Sequence, residues 1–174
     1  LIAIAEAHGK LKQLPEASQR LQEALLSAHQ IDGSYVKAGA LSAIAEAIGE
    51  IKQLPEASQR LQEALLSAHQ IDGSSDKAGA LIAIAEAHGE LKQLPEASQR
   101  LQEALLSAHQ IDDSNQKAWA LIAIAEAQAK LDLWRRARLT PMKCPVDEQK
   151  AEALAGILTT WAERNEESSK VDII

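Results

Sequence analysis

Three evenly spaced histidines, His29, His69 and His109, are the first side chains in this sequence that could do chemistry. Imidazole is the commonest metal ligand and the natural proton carrier near neutral pH. Zinc, however, holds imidazole nitrogens at about 2.0 to 2.1 Å, and equivalent residues on helices packed side by side stand roughly 10 Å apart. The ladder therefore cannot converge on one ion, and His8 and His88 lie two such intervals apart. These histidines read as structural or surface residues. Cys144 sits between Pro141 and Pro145, beside Met142 and Lys143, with no histidine close in sequence. A nucleophile needs a base and a group to orient that base. Glycine-rich phosphate loops and cysteine or histidine clusters at metal spacing are also lacking. The expectation is a protein with no catalytic residues, no cofactor and no metal site.

The other recurring ionisable group is glutamate. Glu6, Glu46, Glu86 and Glu126 recur at the same interval as the histidines; Glu50 and Glu90 extend the series in the middle, while Lys10 and Lys130 offset it at the ends. At roughly 10 Å, two carboxylates repel by only about 0.4 kcal/mol in water, and less once a screening length of about 8 Å is applied. Such a ladder costs the fold little. It is either a solvated face or a surface that prefers a basic or amphipathic helical segment.

These positions belong to a repeat. LPEASQRLQEALLSAHQID occurs at Leu14–Asp32, Leu54–Asp72 and Leu94–Asp112 without a substitution. A fixed period of this size marks an architecture in which each unit is one supersecondary element stacked on its neighbours. Within a unit, Leu41, Ile44, Ala45, Ile48 and Ile51 fall at helical spacing, and Leu54, Ala57, Leu61, Ala64, Leu65, Ala68 and Ile71 form a second helical stripe. Pro15, Pro55 and Pro95 suit the first turn of that second helix. Gly33 and Gly73 are expected to close it in the left-handed conformation, with Ser34 and Ser74 capping the next helix and Asp113 a poorer substitute for glycine. Leu1 aligns with Leu41 and Leu81 inside a helix, so the first helix is expected to lack its opening turn.

Laid out this way, Ala40 to Leu65 resembles the tetratricopeptide repeat. Leu41 stands where that family has its first-helix aromatic, Ile44 and Ala45 at its leucine and small-residue pair, and Ile48 at the next aromatic; Ala57, Leu61 and Ala64 match the second helix. The match recurs over Leu81–Leu105 and Leu1–Leu25. Lys52 replaces the usual glycine between helices, and the period, from Leu14 to Leu54, is longer than the family's, which is about 34 residues. The resemblance implies an all-α solenoid of antiparallel helix-turn-helix repeats whose first helices line a groove for a protein or peptide. Carried onto this sequence, the groove comprises Ile2, Gly39, Ser42, Gly79, Ile82, Trp119 and Ile122, with Glu6, Glu46, Glu50, Glu86, Glu90 and Glu126.

Differences between the copies concentrate on the first helix and the loop before it, at Tyr35, Ser75 and Asn115, at Val36, Asp76 and Gln116, at Gly39, Gly79 and Trp119, at Ser42, Ile82 and Ile122, and at His8, Ile48, His88 and Gln128. A ligand groove would gather these positions in one patch. The alternative is a structural or engineered array with no dedicated ligand, motivated by the perfect repetition of the segment that begins at Leu14, Leu54 and Leu94. Self-association through the truncated N-terminal end is a third expectation.

After Leu131 the pattern decays. Repeats are expected over 1–139, a linker and capping helix over 140–165, with that helix at about Asp147–Arg164, and a frayed tail over 166–174. Trp134 and Trp161 are expected to fill the end of the array. A net charge of −7 and a sequence pI near 5.3 argue against binding a nucleic-acid backbone. One cysteine cannot form an internal disulfide, and no signal peptide or long apolar run is evident, so no membrane and a reducing, cytoplasmic setting are expected.

Overall fold

The computed structural model of the chain describes residues 1–171 apart from 52, 53 and 55, with side chains described as far as Arg164. Among the described residues the fold is all-α: α1 (Ile2–Lys10), α2 (Leu14–His29), α3 (Ser34–Glu50), α4 (Ala57–His69), α5 (Ser74–Glu90), α6 (Leu94–His109), α7 (Ser114–Lys130), α8 (Trp134–Leu139) and α9 (Asp147–Val171), with one 3-10 turn at Pro141–Lys143. Two compact units divide the chain, Leu1–Gln110 and Ile111–Ile174.

In the first unit each helix packs against the next along the chain, and α1 also packs on α3, α3 on α5 and α2 on α4. The helical spacing of the apolar residues dictates what is buried. Leu21, Leu41, Ile44, Ile48, Leu61, Leu81, Ile84 and Leu101 are fully enclosed, with alanines between them. Small residues let backbones come close: a Cβ built on Gly49 of α3 would stand 3.2 Å from Ala87 Cα of α5.

Two of the three identical segments start as their prolines dictate. Pro15 and Pro95 occupy the first turn of α2 and α6, with Glu16 and Glu96 at the positive end of the helix dipole. The middle copy differs, since α4 begins only at Ala57; Pro55, expected to start it, lies outside the described residues. Upstream of the identical stretch this copy has Ile48 where the others have His8 and His88, which hydrogen-bond Gln13 and Gln93 of the turn. Ile51 replaces Leu11 and Leu91, and it turns inward onto the backbone of Gly9, where an added Cβ would come within 2.7 Å of Ile51 Cγ1. Leu54 follows it into the core, and Glu56 then reverses the chain at φ 62°.

The turn residues need two corrections. Gly33 and Gly73 are not left-handed helix ends; both are extended, with φ −74° and −68°, and occupy the N-cap of the following helix. Ser34 and Ser74 are accordingly the first residues of α3 and α5 rather than their caps. Asp113 holds the same N-cap position before α7 and is better suited to it than glycine, because its carboxylate accepts a 2.8 Å hydrogen bond from the Gln116 amide. The left-handed positions are instead Lys12, Glu56, Lys92 and Asp132, with φ of 57°, 62°, 59° and 59°, in the turns between first and second helices. Lys12 and Lys92 thus adopt, at a cost of about 1 kcal/mol each, a conformation that favours glycine; Lys52, at the corresponding position, lies outside the described residues.

In the second unit α7 packs on α8 and α9, and Ala125, Ala129, Ala137 and Ile157 form a small core with Trp134 packed against it. Pro141 ends α8 after six residues, as proline requires. Thr140 Oγ1 donates to buried Gln128 Oε1 at 2.8 Å, fixing the turn to α7. Helix α9 starts at Asp147 as expected but runs to Val171, past Arg164. The Arg164 guanidinium grips Asp132 at 2.8 Å and the Lys130 carbonyl. Residues 172–174 lie outside the described residues. Trp161 does not fill a core; it stays half-exposed on α9.

Candidate binding surface

Helical periodicity decides where the expected groove residues fall. On α3, Tyr35, Gly39, Ser42, Glu46 and Glu50 follow one another at spacings of four, three, four and four, so they share one side of the helix. Gly39, Glu46 and Glu50 are exposed and Ser42 is half-buried. The same register on α5 gives exposed Gly79 and Glu90, with Ile82 and Glu86 half-buried; on α1, Ile2 and Glu6 are half-buried. Because α1, α3 and α5 are packed neighbours, ten of the expected groove residues belong to adjoining helices of the first unit. A Cβ added to Gly39 or Gly79 would meet nothing within 4 Å, so the helix surface is open there.

The three α7 positions behave differently among themselves. Trp119 is 57% exposed, occupying the register of the two open glycines, whereas Ile122 is buried at 6%. Glu126 is exposed, and its Oε1 lies 3.9 Å from where a Cβ of Gly156 on α9 would be. These residues form the α7 surface of the second unit.

The histidines pin helices together. His29 Nδ1 shares a 3.2 Å hydrogen bond with Ser67 Oγ, joining α2 to α4, and His69 Nε2 donates to Glu103 Oε2 at 3.2 Å, joining α4 to α6. His8 and His88 face the turn instead, each donating from Nδ1 to the side-chain oxygen of the glutamine five residues on, Gln13 or Gln93, at 2.7 Å. Gln93 then donates to Ser58 Oγ at 2.6 Å, so a chain of three polar side chains ties the turn after α5 to α4. Burial is the main cause that pushes the His88 pKa below its ordinary 6.5; nearby Arg100 lowers it further, against the raising effects of the Gln93 hydrogen bond and Glu96. No three ionisable or thiol side chains among the described residues are grouped to hold a metal ion. Cys144 is buried, with its thiol donating to the Val146 carbonyl at 3.4 Å.

A groove of about 440 Å³ lies between α2 and the start of α4, lined by Pro15, Ser18, Gln19, Gln22, Glu56 and Arg60. Its cation is already committed, since Arg60 pairs with Glu56 at 3.1 Å and Glu63 at 3.3 Å. Among the described residues, the buried Nε atoms of Arg60 and of Arg100 have no hydrogen-bond partner.

One repeated surface feature escaped the sequence reading. Leu26, Leu66 and Leu106, at one register of α2, α4 and α6, are 60%, 58% and 66% exposed. The signal was the Leu-Leu doublet in each identical segment, because two adjacent helical residues point about 100° apart and only one can join the buried stripe. Leu25 and Leu65 take the inward place. No helix among the described residues is long and apolar enough to cross a membrane. Comparison with protein-family models, curated proteins and solved structures returns no match for this chain.

Proposed function

We propose that the chain is a tetratricopeptide-like solenoid of helical hairpins that binds a protein or peptide along the outward sides of its first helices. The observation that carries this reading is the stripe on α3, where Tyr35, Gly39, Ser42, Glu46 and Glu50 share one side of the helix; Tyr35, Gly39 and Ser42 are positions that vary between copies, whereas varying Val36 lies off the stripe and varying Ile48 is buried. Residues that vary while their neighbours repeat without change are where a scaffold would diversify recognition. Carboxylates at Glu46, Glu50, Glu86 and Glu90 set the preference for a basic or amphipathic helical segment, whose charged edge they would meet while Ile82 and Ser42 contact its apolar side. The chemistry asked of this surface is recognition rather than catalysis, without a cofactor, nucleic acid or membrane.

A labelled amphipathic helix of leucine and lysine, titrated with the chain and followed by fluorescence anisotropy, tests the reading. Glu46→Lys with Glu50→Lys should weaken saturable binding by about tenfold or more, the effect of losing roughly 1.4 kcal/mol. Glu16→Lys with Glu96→Lys, which makes the same change in net charge on the second helices, should leave it nearly intact. Equal losses from both pairs would mean that the peptide responds only to net charge, and the groove would be rejected. The segment repeated without change at Leu14–Asp32, Leu54–Asp72 and Leu94–Asp112 favours a second reading, a structural or engineered array without a dedicated ligand. For such an array neither pair would matter, because no saturable binding would be seen.

A further inference from the structure

Helix α8 begins at the register of the segment that repeats without change, and Trp134 and Ala137 hold the places of Leu94 and Ala97. The charges do not repeat. Arg135, Arg136, Arg138 and Lys143 take the places of Pro95, Glu96, Ser98 and Glu103, so four cations and no carboxylate lie from Trp134 to Lys143 in a chain of net charge −7. The exchange does nothing for the start of the helix, because proline suits a first turn and glutamate complements its dipole, whereas arginine does neither. A departure from a repeated pattern that brings the fold no local gain marks a place kept for another purpose. Nor are these cations spent on ion pairs. Among the described residues Arg135, Arg138 and Lys143 make none, and the carboxylates that flank the segment in sequence are taken, Asp132 by Arg164 and Asp147 by Lys150, each at 2.8 Å. Packing turns the cluster outward. Ala137, Thr140 and Pro141 form the buried side of the segment, and Arg135, Arg138 and Lys143 are exposed, with Leu139 and Met142 among them 51% and 56% exposed.

We infer that α8 and the turn after it form a docking surface for a short acidic peptide segment of a partner protein, one in which carboxylates and apolar side chains are interspersed. Charge complementarity argues for that occupant. A guanidinium presents a fork that a carboxylate fills with two parallel hydrogen bonds, so Arg135 and Arg138 each take one acidic side chain, and Lys143 offers a third positive charge at the end of the strip. Leu139 and the adaptable thioether of Met142 supply apolar contact between these charges. An extended polyanion, whether a nucleic acid or an anionic bilayer, would run past so short a strip onto a molecule of net negative charge that repels it. A peptide can confine its carboxylates to the strip. This surface is opposite in sign to the outward sides of the first helices and stands independently of the reading proposed for them. A handful of side chains makes a contact well below the roughly 1,200 Å² of a stable complex, so the binding is weak and transient.

A labelled amphipathic peptide of glutamate and leucine, titrated with the intact chain and followed by fluorescence anisotropy, should bind saturably with a Kd on the order of 100 µM, the range of a small contact. Arg135→Gln with Arg138→Gln and Lys143→Gln changes only exposed side chains and should weaken binding by about tenfold or more with unchanged helicity. Lys37→Gln with Lys77→Gln and Lys117→Gln removes as many cations from the first helices and should leave binding nearly intact. Leu139→Gln with Met142→Gln keeps every charge and should still weaken binding by about threefold or more. Sodium chloride should weaken the parent's binding by screening the attraction. Absence of saturable binding, or equal losses from the two triple variants, overturns the proposal, and so does unchanged binding when Leu139 and Met142 are replaced. Single-stranded DNA or phosphatidylserine vesicles held more tightly than the peptide, and released by the Arg135, Arg138 and Lys143 changes, would overturn it too, as the mark of a surface for polyanions.

Discussion

His88 shows how much one side chain depends on its place in an otherwise identical pattern. It is buried at the end of α5, keeps one hydrogen bond to Gln93, and has its pKa lowered chiefly because burial penalises the charged ring. A histidine whose folded pKa lies below its unfolded value favours folding while neutral. Its contribution is therefore full above about pH 6.5 and is lost as pH falls from there through the folded value, because the unfolded chain takes up the proton first. The urea midpoint of the intact chain should drop as pH is lowered from about 7.5 to about 5.5, and His88→Gln should flatten that dependence. Glutamine is the apt replacement, since Gln128 holds the same register in α7, buried and hydrogen-bonded to Thr140. A pH dependence as steep in the variant as in the parent would place the titrating group elsewhere. None of this was readable from the sequence, where His8 and His88 looked alike and only burial separates them.

Within single helices, the glycines divide into those that permit contact and those that weaken a helix without return. Gly39 and Gly79 lie in open parts of α3 and α5, where a methyl group would touch nothing, whereas a methyl group on Gly49 would stand only 3.2 Å from the Ala87 backbone. Gly39→Ala and Gly79→Ala should each stabilise the chain by about 1 kcal/mol, the difference in helix propensity. Gly49→Ala should instead destabilise by about 1 to 3 kcal/mol, because backbone cannot step aside as a side-chain tip can. Chemical denaturation of the three variants decides the matter, and a gain in stability at Gly49 would show that α3 and α5 separate at little cost. The helices themselves were legible, because apolar residues at intervals of three and four mark a buried stripe whatever lies around it. Turn details were not. Glycine after Ile-Asp fits a left-handed helix end and an extended N-cap equally well by composition, and only the observed φ of Gly33 and Gly73 chose the second. Nothing in the letters of Lys12 or Lys92 announces a positive φ, nor does the identical segment itself announce that its helix starts at the leucine of the Leu-Pro pair in two copies and at Ala57 in the middle one, where Ile48 and Ile51 differ just upstream. The candidate surface was legible to the same extent: the outward side of α3 follows from spacing, but the burial of Ile122 and the exposure of Leu26, Leu66 and Leu106 depend on which neighbour arrives.

Across the whole first unit, stability should be graded rather than uniform. Helices draw their stability from the interfaces with their neighbours, so a helix with more packed neighbours is held more firmly than one with fewer. Helix α5 packs against α3, α4 and α6, and Ala80, Leu81, Ile84 and Ala85 within it are sealed from solvent. Among the described residues, helix α1 packs only against α2 and α3, buries Ala5 alone, and leaves Ile4 and the nearby Leu1 and Leu11 exposed. The corresponding residues of α3, Leu41, Ile44 and Ile51, are all buried, so the same sequence pattern has a partner in one place and lacks it in the other. Amides of α1 should therefore exchange with deuterated solvent through local opening, whereas those of α5 should wait for a much larger event. A difference of about 2.8 kcal/mol between the two corresponds to roughly 100-fold in protection. Mass-spectrometric hydrogen exchange on the intact chain at neutral pH should show at least that ratio. Equal protection in α1 and α5 would mean that the unit opens only as a whole, and the cooperativity would then have to come from interfaces stronger than alanine-lined contacts supply. A graded result would instead show that the firmness of a helix follows the neighbours packed against it, which among the described residues are two for α1 and three for α5.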